Sequence, residues 1–461
     1  MGTTATTTYG IDDADVLFQK DFAPEVFRQR RAKVMAAMES GSLAIIPGAE
    51  KNSTHDVFRQ SNDFYYLCGI ETPHAYLLLD AKNGSSAVYL PHLGQDQRDR
   101  EGEILCAERA EDCVRLSGID EALGVELLIR RLEGCTRVYT PFRQNEGTCQ
   151  SWDTLQRSRQ DIYSDPWDGR PDRTDHFLGL LRARCPKAEI RDLGPALDRL
   201  RLFKEPGEVE LLRRAGTLSA LGLVEAMRCT RPGMKEYQLD AAMRYVYHAN
   251  GARDSSYRSI VAGGPNSWYG HYEANTDILK YGDLVLVDAG PEYRYYTSDA
   301  TRIWPVNGTY TPIQRELYGF IVEYHQTLLT LIRAGISDVQ LLGEAREIMT
   351  KVVERTHFSK DIYESAARRA LVFPHLTHSV GMAVHDVGSY KGGGIIPAGV
   401  VFALDPQLII PEERLYIRVE DTVLVTEEGV ENLSAPAPLD LDGVERVMKE
   451  EGMCQRYPAI F

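Results

Sequence analysis

Four acidic residues close or interrupt short apolar runs in the second half of the chain. Asp288 ends Leu284-Val-Leu-Val, Asp299 follows eleven residues later beyond Tyr293-Arg-Tyr-Tyr, Asp405 follows Val400-Val-Phe-Ala-Leu, and Glu420 interrupts Leu415-Tyr-Ile-Arg-Val. Runs so short and apolar predict buried strands. An ionised carboxylate at the end of such a strand is costly unless it is paired or holds a cation. The fold must therefore bring separated strands together around a common counter-charge. A hairpin across the eleven-residue gap would join Asp288 to Asp299. Two carboxylates in contact repel and one pKa rises, so the pair is either a shared-proton dyad or a cation site.

The histidines add to this pattern, since His271, His375, His378 and His385 all fall in one 115-residue stretch. Strand alternation puts Tyr416, Arg418 and Glu420 on one face and Ile417 and Val419 on the other. With one imidazole from Pro374-His-Leu-Thr-His378 the donor inventory is mostly oxygen with one nitrogen. Mn, Co or Zn suit it and a thiolate site does not. A single strand-end aspartate is ordinarily a turn former or cap; three of them and a glutamate beside a histidine cluster are not. His375 taken alone reads as a loop histidine, His325 and His248 as structural residues of amphipathic helices, and the Tyr293 to Tyr296 run as strand packing.

Composition narrows the function classes. A chain of 461 residues, 43% hydrophobic and 26% charged, is globular and long enough for two or three domains. Its net charge of −15 repels phosphate backbones and anionic lipid, which argues against nucleic-acid and membrane partners. No run of 18 apolar residues is present to span a bilayer. The N-terminus lacks the basic start and apolar stretch of a secretory signal. Gly2 and Thr6 fit a myristoylation pattern, but no basic patch supplies the second anchor. Eight cysteines spread singly, without CxxC spacing, read as free thiols in a reducing cytoplasm. A cytoplasmic location is expected.

Along the first 190 residues, strand signals at 43–46, 76–79, 88–90 and 138–140 predict an α/β domain. The polar stretch 157–175 reads as surface loop, and a domain boundary is placed near residue 195. From Glu208 a helical period puts Leu211, Ala215, Leu218, Leu221 and Val224 on one face. A second helix, 235–249, precedes strands at 284–287 and 300–304. The order then recurs. Thr311-Pro-Ile-Gln314 is a capping box opening a helix to Arg333, a helix follows over 338–354, and strands follow at 401–404, 408–410, 415–419 and 422–425. Helix, helix, strands, stated twice, predicts two similar halves with a site between them.

These residues resemble the pita-bread metallopeptidases, in their Xaa-Pro aminopeptidase (aminopeptidase P) and prolidase branch. The resemblance lies in Leu286-Val-Asp-Ala-Gly290, Ser298-Asp-Ala-Thr-Arg302, Thr377-His-Ser-Val-Gly-Met-Ala-Val-His-Asp-Val-Gly388 and Ile417-Arg-Val-Glu-Asp421. It extends to Arg59-Gln-Ser-Asn-Asp-Phe-Tyr-Tyr-Leu-Cys-Gly69 and the junction Arg201-Leu-Phe-Lys-Glu-Pro. It implies an aminopeptidase P-like α/β N-terminal domain (1–195) followed by an α+β pita-bread, creatinase/aminopeptidase-like catalytic domain (200–461). It also implies two divalent metal ions, Mn first, with Co or Zn possible. By the resemblance Asp288 chelates one ion, Asp299 and Glu420 bridge both, and His378 and Asp405 complete the set, Asp405 also standing at the general-base position. His271 and His385 match the substrate-side histidines and Arg418 orients Glu420. The implied activity is hydrolysis of the bond between an N-terminal residue and proline in a peptide, by a homodimer or homotetramer. Proline's tertiary amide lacks an N–H and restricts the preceding residue, so general peptidases fit it poorly.

Two positions depart from the family. Asp405-Pro-Gln407 stands where the family has Glu-Pro-Gly, a carboxylate shorter by one bond of ~1.5 Å. Pro374 stands where the family has a histidine four residues before the metal histidine, with His375 next to it. If the shorter Asp405 leaves a gap, Asp405→Glu raises turnover; if the backbone has moved inward, it lowers turnover, and the change at Gln407 favours the second. Two rival readings follow: a metal-free creatinase-like C–N hydrolase, opposed by the retained Asp288, Asp299, His378 and Glu420, and a binding protein that has lost turnover through Asp405.

Overall fold

The computed structural model describes residues 18–51, 57–102, 104–373, 376–388 and 394–459. Gly2, Thr6, Pro374 and His375 lie outside the described residues. The chain forms two compact units, residues 1–147 with 154–197, and residues 148–153 with 198–461.

The first unit is built on a six-stranded sheet of β1 (Leu43–Pro47), β2 (Tyr76–Asp80), β3 (Ser85–Leu90), β4 (Glu121–Gly124), β5 (Arg137–Thr140) and β6 (Glu189–Asp192), in the order β4-β3-β2-β1-β5-β6. β1, β2 and β3 pair antiparallel while β4, β5 and β6 join in parallel. Ile45, Leu78, Tyr89, Val138 and Leu181 form its core. Two buried arginines of the helix Pro24–Ala36 hold other helices by their C-terminal carbonyls, where cations are favoured. Arg30 Nη1 donates to Tyr66 O at 3.1 Å, and Arg31 Nη1 to Leu67 O at 2.8 Å and Ser117 O at 3.2 Å. The polar stretch expected as loop is largely helical, lying in Trp152–Ser164 and the start of Arg173–Arg184. The first of these helices buries none of its residues, so it carries no apolar stripe from which a period could be read.

In the second unit two long helices, Pro206–Cys229 and Glu236–Ala249, precede strands β7 (Asp254–Ser255), β8 (Ile260–Gly263), β9 (Leu284–Asp288), β10 (Pro291–Tyr293), β11 (Tyr296–Thr297) and β12 (Thr301–Pro305). Helices Pro312–Leu331, Asp338–Arg355 and Asp361–Ala370 then precede β13 (Leu376–Ser379), β14 (Val401–Leu404), β15 (Gln407–Ile410), β16 (Leu415–Arg418), β17 (Asp421–Val425) and β18 (Val430–Asn432). Thr311 and Gln314 cap the helix at 312 reciprocally. Leu211, Ala215 and Leu218 of Pro206–Cys229 are buried as expected, but Leu221 is 44% exposed, and the buried seam also takes in Leu212, Ser219, Gly222 and Leu223. Small and polar residues hide that seam from an apolar count. Gly222 lets the two helices close, since a Cβ there would lie 2.6 Å from Tyr247 Cε1. The helix Asp361–Ala370 is an addition to the expected elements; its buried side, Tyr363, Ala366, Ala367 and Ala370, follows the helical period with mostly small residues.

Antiparallel sheets from the two halves, β12-β9-β8 and β13-β14-β17-β18, meet at an isolated bridge between Thr301 and Glu420. Each residue's N–H donates to the other's carbonyl at 3.1 Å. Behind that joint the buried Arg302 donates to Glu420 O at 2.8 Å and to Asp421 Oδ1 at 2.7 Å. His325 is fully buried 3.2 Å from Asp421, and burial lowers its imidazole to about 4, so it is a neutral core residue. His248 is exposed at its helix end. The Tyr293 to Tyr296 run makes the β10–β11 hairpin, with Arg294 and Tyr295 at φ 50° and 73°. Among the described residues no helix is long and apolar enough to cross a membrane. The eight cysteines are free; five are buried and Cys149 is exposed.

Candidate metal centre

The centre forms where the β9–β12 hairpin meets the Thr301–Glu420 bridge. β9 and β12 pair with Asp288 opposite Thr301. The hairpin neck closes because position 290 is glycine: a Cβ there would overlap the Ser298 carbonyl. Tyr257, from the loop before β8, places its hydroxyl 2.6 Å from Asp299 Oδ1 and in hydrogen-bond contact with Asp288 Oδ1. Asp299, His378 and Glu420 each offer a ligand atom within 4.8 Å of the others. His378 Nε2 lies 3.4 Å from Asp299 Oδ2 and 4.0 Å from Glu420 Oε1. Thr301 Oγ1 donates to Glu420 Oε2 at 2.8 Å. Asp405 is buried, with Oδ2 accepting from Gln407 Nε2 at 2.9 Å and Oδ1 without a hydrogen-bond partner.

Four buried carboxylates face one guanidinium, Arg418, and the imbalance governs the electrostatics. Burial, then the charge of Asp288, pushes Asp299 up to about 8. Burial, then Asp299, raises Glu420; burial, then Glu420, raises Asp405. Burial opposes the charge on Arg418, yet Asp288, Tyr416 and Glu420 hold its pKa above the ordinary value. Tyr257 has one proton and two carboxylate contacts, so one contact requires a proton on the aspartate side, in keeping with the raised Asp299. Protons, or a cation in their place, must supply the missing positive charge. The fit to a cation is good: oxygen donors, one imidazole, an unpartnered buried oxygen on Asp405, and no thiolate suit hard or borderline divalent ions.

The sites read from sequence are thus unevenly placed. Asp299, His378 and Glu420 form the tight group, with Asp288 joined through Tyr257 and Arg418. Asp405 lies beside Glu420 but outside the group within 4.8 Å. The His385 ring packs against His378 with centroids 4.1 Å apart and the ring planes tilted by 48°. His271 is exposed and makes no hydrogen bond or ion pair to the group among the described residues. Arg418 leans to Asp288, paired through Nη2, and its Nε stays 3.7 Å from Glu420 Oε2. The direct partner of Glu420 is Thr301 rather than Arg418, because the cross-half bridge sets Thr301 beside it.

Tyr257 was not read from the sequence, since nothing in Ser255-Ser256-Tyr257 marks it and its partners lie 31 and 42 residues away. Removing its hydroxyl unfixes both aspartates. Tyr257→Phe is expected to weaken divalent-ion affinity roughly 10- to 100-fold, the usual effect of losing a group that orients ligands. Calorimetric titration of the metal-free protein checks this, and unchanged affinity contradicts it.

A mixed α/β fold carrying a buried carboxylate-imidazole cluster at the joint of two antiparallel sheets belongs to the class of oxygen-rich divalent-cation centres. Residues 210–427 match metallopeptidase family M24, and residues 27–146 match the aminopeptidase P N-terminal domain. The Xaa-Pro aminopeptidase of Escherichia coli (strain K12) is 32% identical over 455 residues, 93% of this chain and 98% of its own. Among solved structures, proline aminopeptidase P II from Yersinia pestis aligns with TM-score 0.75 and 32% identity over 93% of this chain and 100% of its own. Aminopeptidase P from E. coli with the inhibitor Pro-Leu gives 0.74 and 30% over 93% and 99%. The chain belongs to metallopeptidase family M24, in the arrangement of an aminopeptidase P N-terminal domain followed by the M24 catalytic domain. Its family works through divalent metal ions.

Proposed function

We infer that this chain is a metal-dependent exopeptidase hydrolysing the bond between an N-terminal residue and a following proline. The observation that carries the reading is the convergence of Asp299, His378 and Glu420, with Asp288 attached, in a chain that aligns nearly end to end with Xaa-Pro aminopeptidases. The inhibitor in the E. coli structure, Pro-Leu, begins with proline, as the product of such a cleavage does. The proposed ligands are Asp288, Asp299, His378, Asp405 and Glu420, holding two ions, Mn first and Co or Zn as alternatives. Ions bound there supply carbonyl polarisation and an activated water at neutral pH. Asp405 would serve as the proton acceptor at its buried carboxylate, Arg418 pairs with Asp288, and His271 and His385 face the peptide. The N-terminal domain, taken as 1–195, and the catalytic domain, 200–461, act in a homodimer or homotetramer in the cytoplasm, without nucleic-acid or membrane partners. Incubating metal-loaded protein with Xaa-Pro dipeptides and tripeptides and identifying the products tests the activity and the preferred length. Inactivity on every peptide with Mn, Co and Zn rejects it.

The 405 position gives a second test. Gln407 Nε2 already sits 2.9 Å from Asp405 Oδ2, so one more methylene drives the carboxylate either into that amide or ~1.5 Å towards Glu420. Displacement of about 1 Å in a reacting group can cost on the order of 100-fold in rate. Asp405→Glu is expected to lower kcat about 10- to 100-fold, and adding Gln407→Gly to offset part of the loss. A gain of activity in Asp405→Glu alone, from an inactive wild type, would favour the binding-protein reading.

A further inference from the structure

The short segment 148–153 packs with the catalytic unit, although the chain on both sides of it belongs to the first unit. Contacts of three of its residues help to hold it there. Cys149 Sγ donates to Ser255 O at 3.1 Å, Ser151 Oγ accepts from the His385 N–H at 3.4 Å, and Asp153 Oδ2 lies 2.6 Å from His385 Nδ1. Both the Asp153 and His385 side chains are about a third exposed, and the His385 ring also packs against His378.

The backbone of His385 is held from the other direction. Its neighbour Asp386 is fully buried, paired with Arg201 at 2.5 Å and Lys204 at 3.5 Å, and accepts from Met382 N at 3.2 Å. Position 381 is glycine because a Cβ there would overlap the Asp386 carboxylate. With the loop so braced, the main freedom left to His385 is rotation of its ring, a torsion with a broad, roughly two-fold profile. An ionised carboxylate only accepts hydrogen bonds, so at 2.6 Å the facing ring nitrogen must carry hydrogen.

We propose that Asp153 is a positioning residue for the peptidase reaction: it fixes the His385 ring with hydrogen on Nδ1 and leaves Nε2 as a lone-pair acceptor facing the reacting end of the peptide. The proposal rests on the reading of His385 as a substrate-side histidine. Without Asp153 the ring samples its flipped orientation and the other tautomer, and the hydrogen bond made in the transition state is lost while peptide binding remains. The loss therefore falls on kcat rather than KM.

The test uses the full metal-loaded chain and an Xaa-Pro tripeptide, with metal content and melting temperature measured for each variant. Asp153→Ala is expected to lower kcat about 10- to 100-fold, the range for losing a group that orients a ligand or catalytic ring, with KM changed less than about threefold and metal content unchanged. Asp153→Asn keeps the shape and controls for folding; its amide can donate to Nδ1 and stabilise the wrong tautomer, so it too loses kcat. The double variant Asp153→Ala/His385→Ala is expected to be no slower than His385→Ala, since the two residues act as one unit. Selective 15N labelling of histidine in the Zn-loaded protein is expected to show His385 as the Nδ1–H tautomer in the wild type and a mixture in Asp153→Ala. Asp153→Ala within twofold of wild type, or the same fold-loss in the His385→Ala background as in the wild type, overturns the proposal. A wild type inactive on all Xaa-Pro peptides overturns the functional reading instead, and the tautomer measurement then still decides whether Asp153 holds His385.

Discussion

Glu420→Gln is expected to abolish peptidase activity while leaving the fold intact. Glu420 joins the centre to the cross-half bridge: its backbone bridges to Thr301, its Oε2 accepts from Thr301 Oγ1, and its Oε1 lies 4.0 Å from His378 Nε2. Substituting even an orienting partner of a metal ligand typically costs 10- to 100-fold, so neutralising a carboxylate inside the cluster should cost on the order of 1,000-fold or more in kcat/KM. The metal-free fold responds in the opposite direction. Asp299 is among the groups that push Glu420 up, and an uncharged isostere relieves that repulsion. The variant's melting temperature without metal should equal or slightly exceed that of the wild type. Retention of more than a tenth of the activity would remove Glu420 from the proposed ligand set.

The second large effect is the response to chelation and pH. A ligand at about 1,000 times its Kd stabilises by about 4 kcal/mol, and for a unit of this size that is roughly 10 °C in melting temperature. Chelation of the loaded protein should therefore lower the transition by about that much, and Mn should restore it. The size of the gap depends on pH. Asp299, ordinarily near 3.8, is raised to about 8 in the folded metal-free chain. Between those values the folded state binds more protons than the unfolded one, so its stability falls as pH rises through the window. Metal binding requires the ionised carboxylate and gains over the same range. The metal-induced rise in melting temperature should therefore be larger at pH 8 than at pH 6. A gap that shrinks towards pH 8, with occupancy verified, would contradict the assignment of a shared proton to the metal-free cluster.

The contrast between Asp288 and Tyr257 shows where reading from residues alone stops. Asp288 is conspicuous because an acid after four apolar strand residues has no cheap place in a core, and the hairpin to Asp299 follows from their spacing. The same local logic found Asp405, Glu420 and both long helices of each half. Tyr257 and Thr301 are ordinary residues until the chain folds, and nothing in their residue type marks either as a carboxylate partner. The Pro206–Cys229 helix shows a related failure: its seam runs through Ser219 and Gly222, whose value is that they are small, and hydrophobic counting assigned Leu221 inward instead.

What the sequence determined is the set of donors and the need to neutralise them, because the cost of burying an unpaired carboxylate is fixed by residue type and by the apolar run that carries it. What the tertiary structure decided is pairing. Arg418 sits closer to Asp288 than to Glu420, Thr301 takes Glu420 across the joint of the two halves, and Asp153 reaches His385 from a position 232 residues away. Each of these depends on hydrogen-bond geometry over a few ångströms between segments brought together only by sheet register and packing, and such distances are not encoded in any local run of residues.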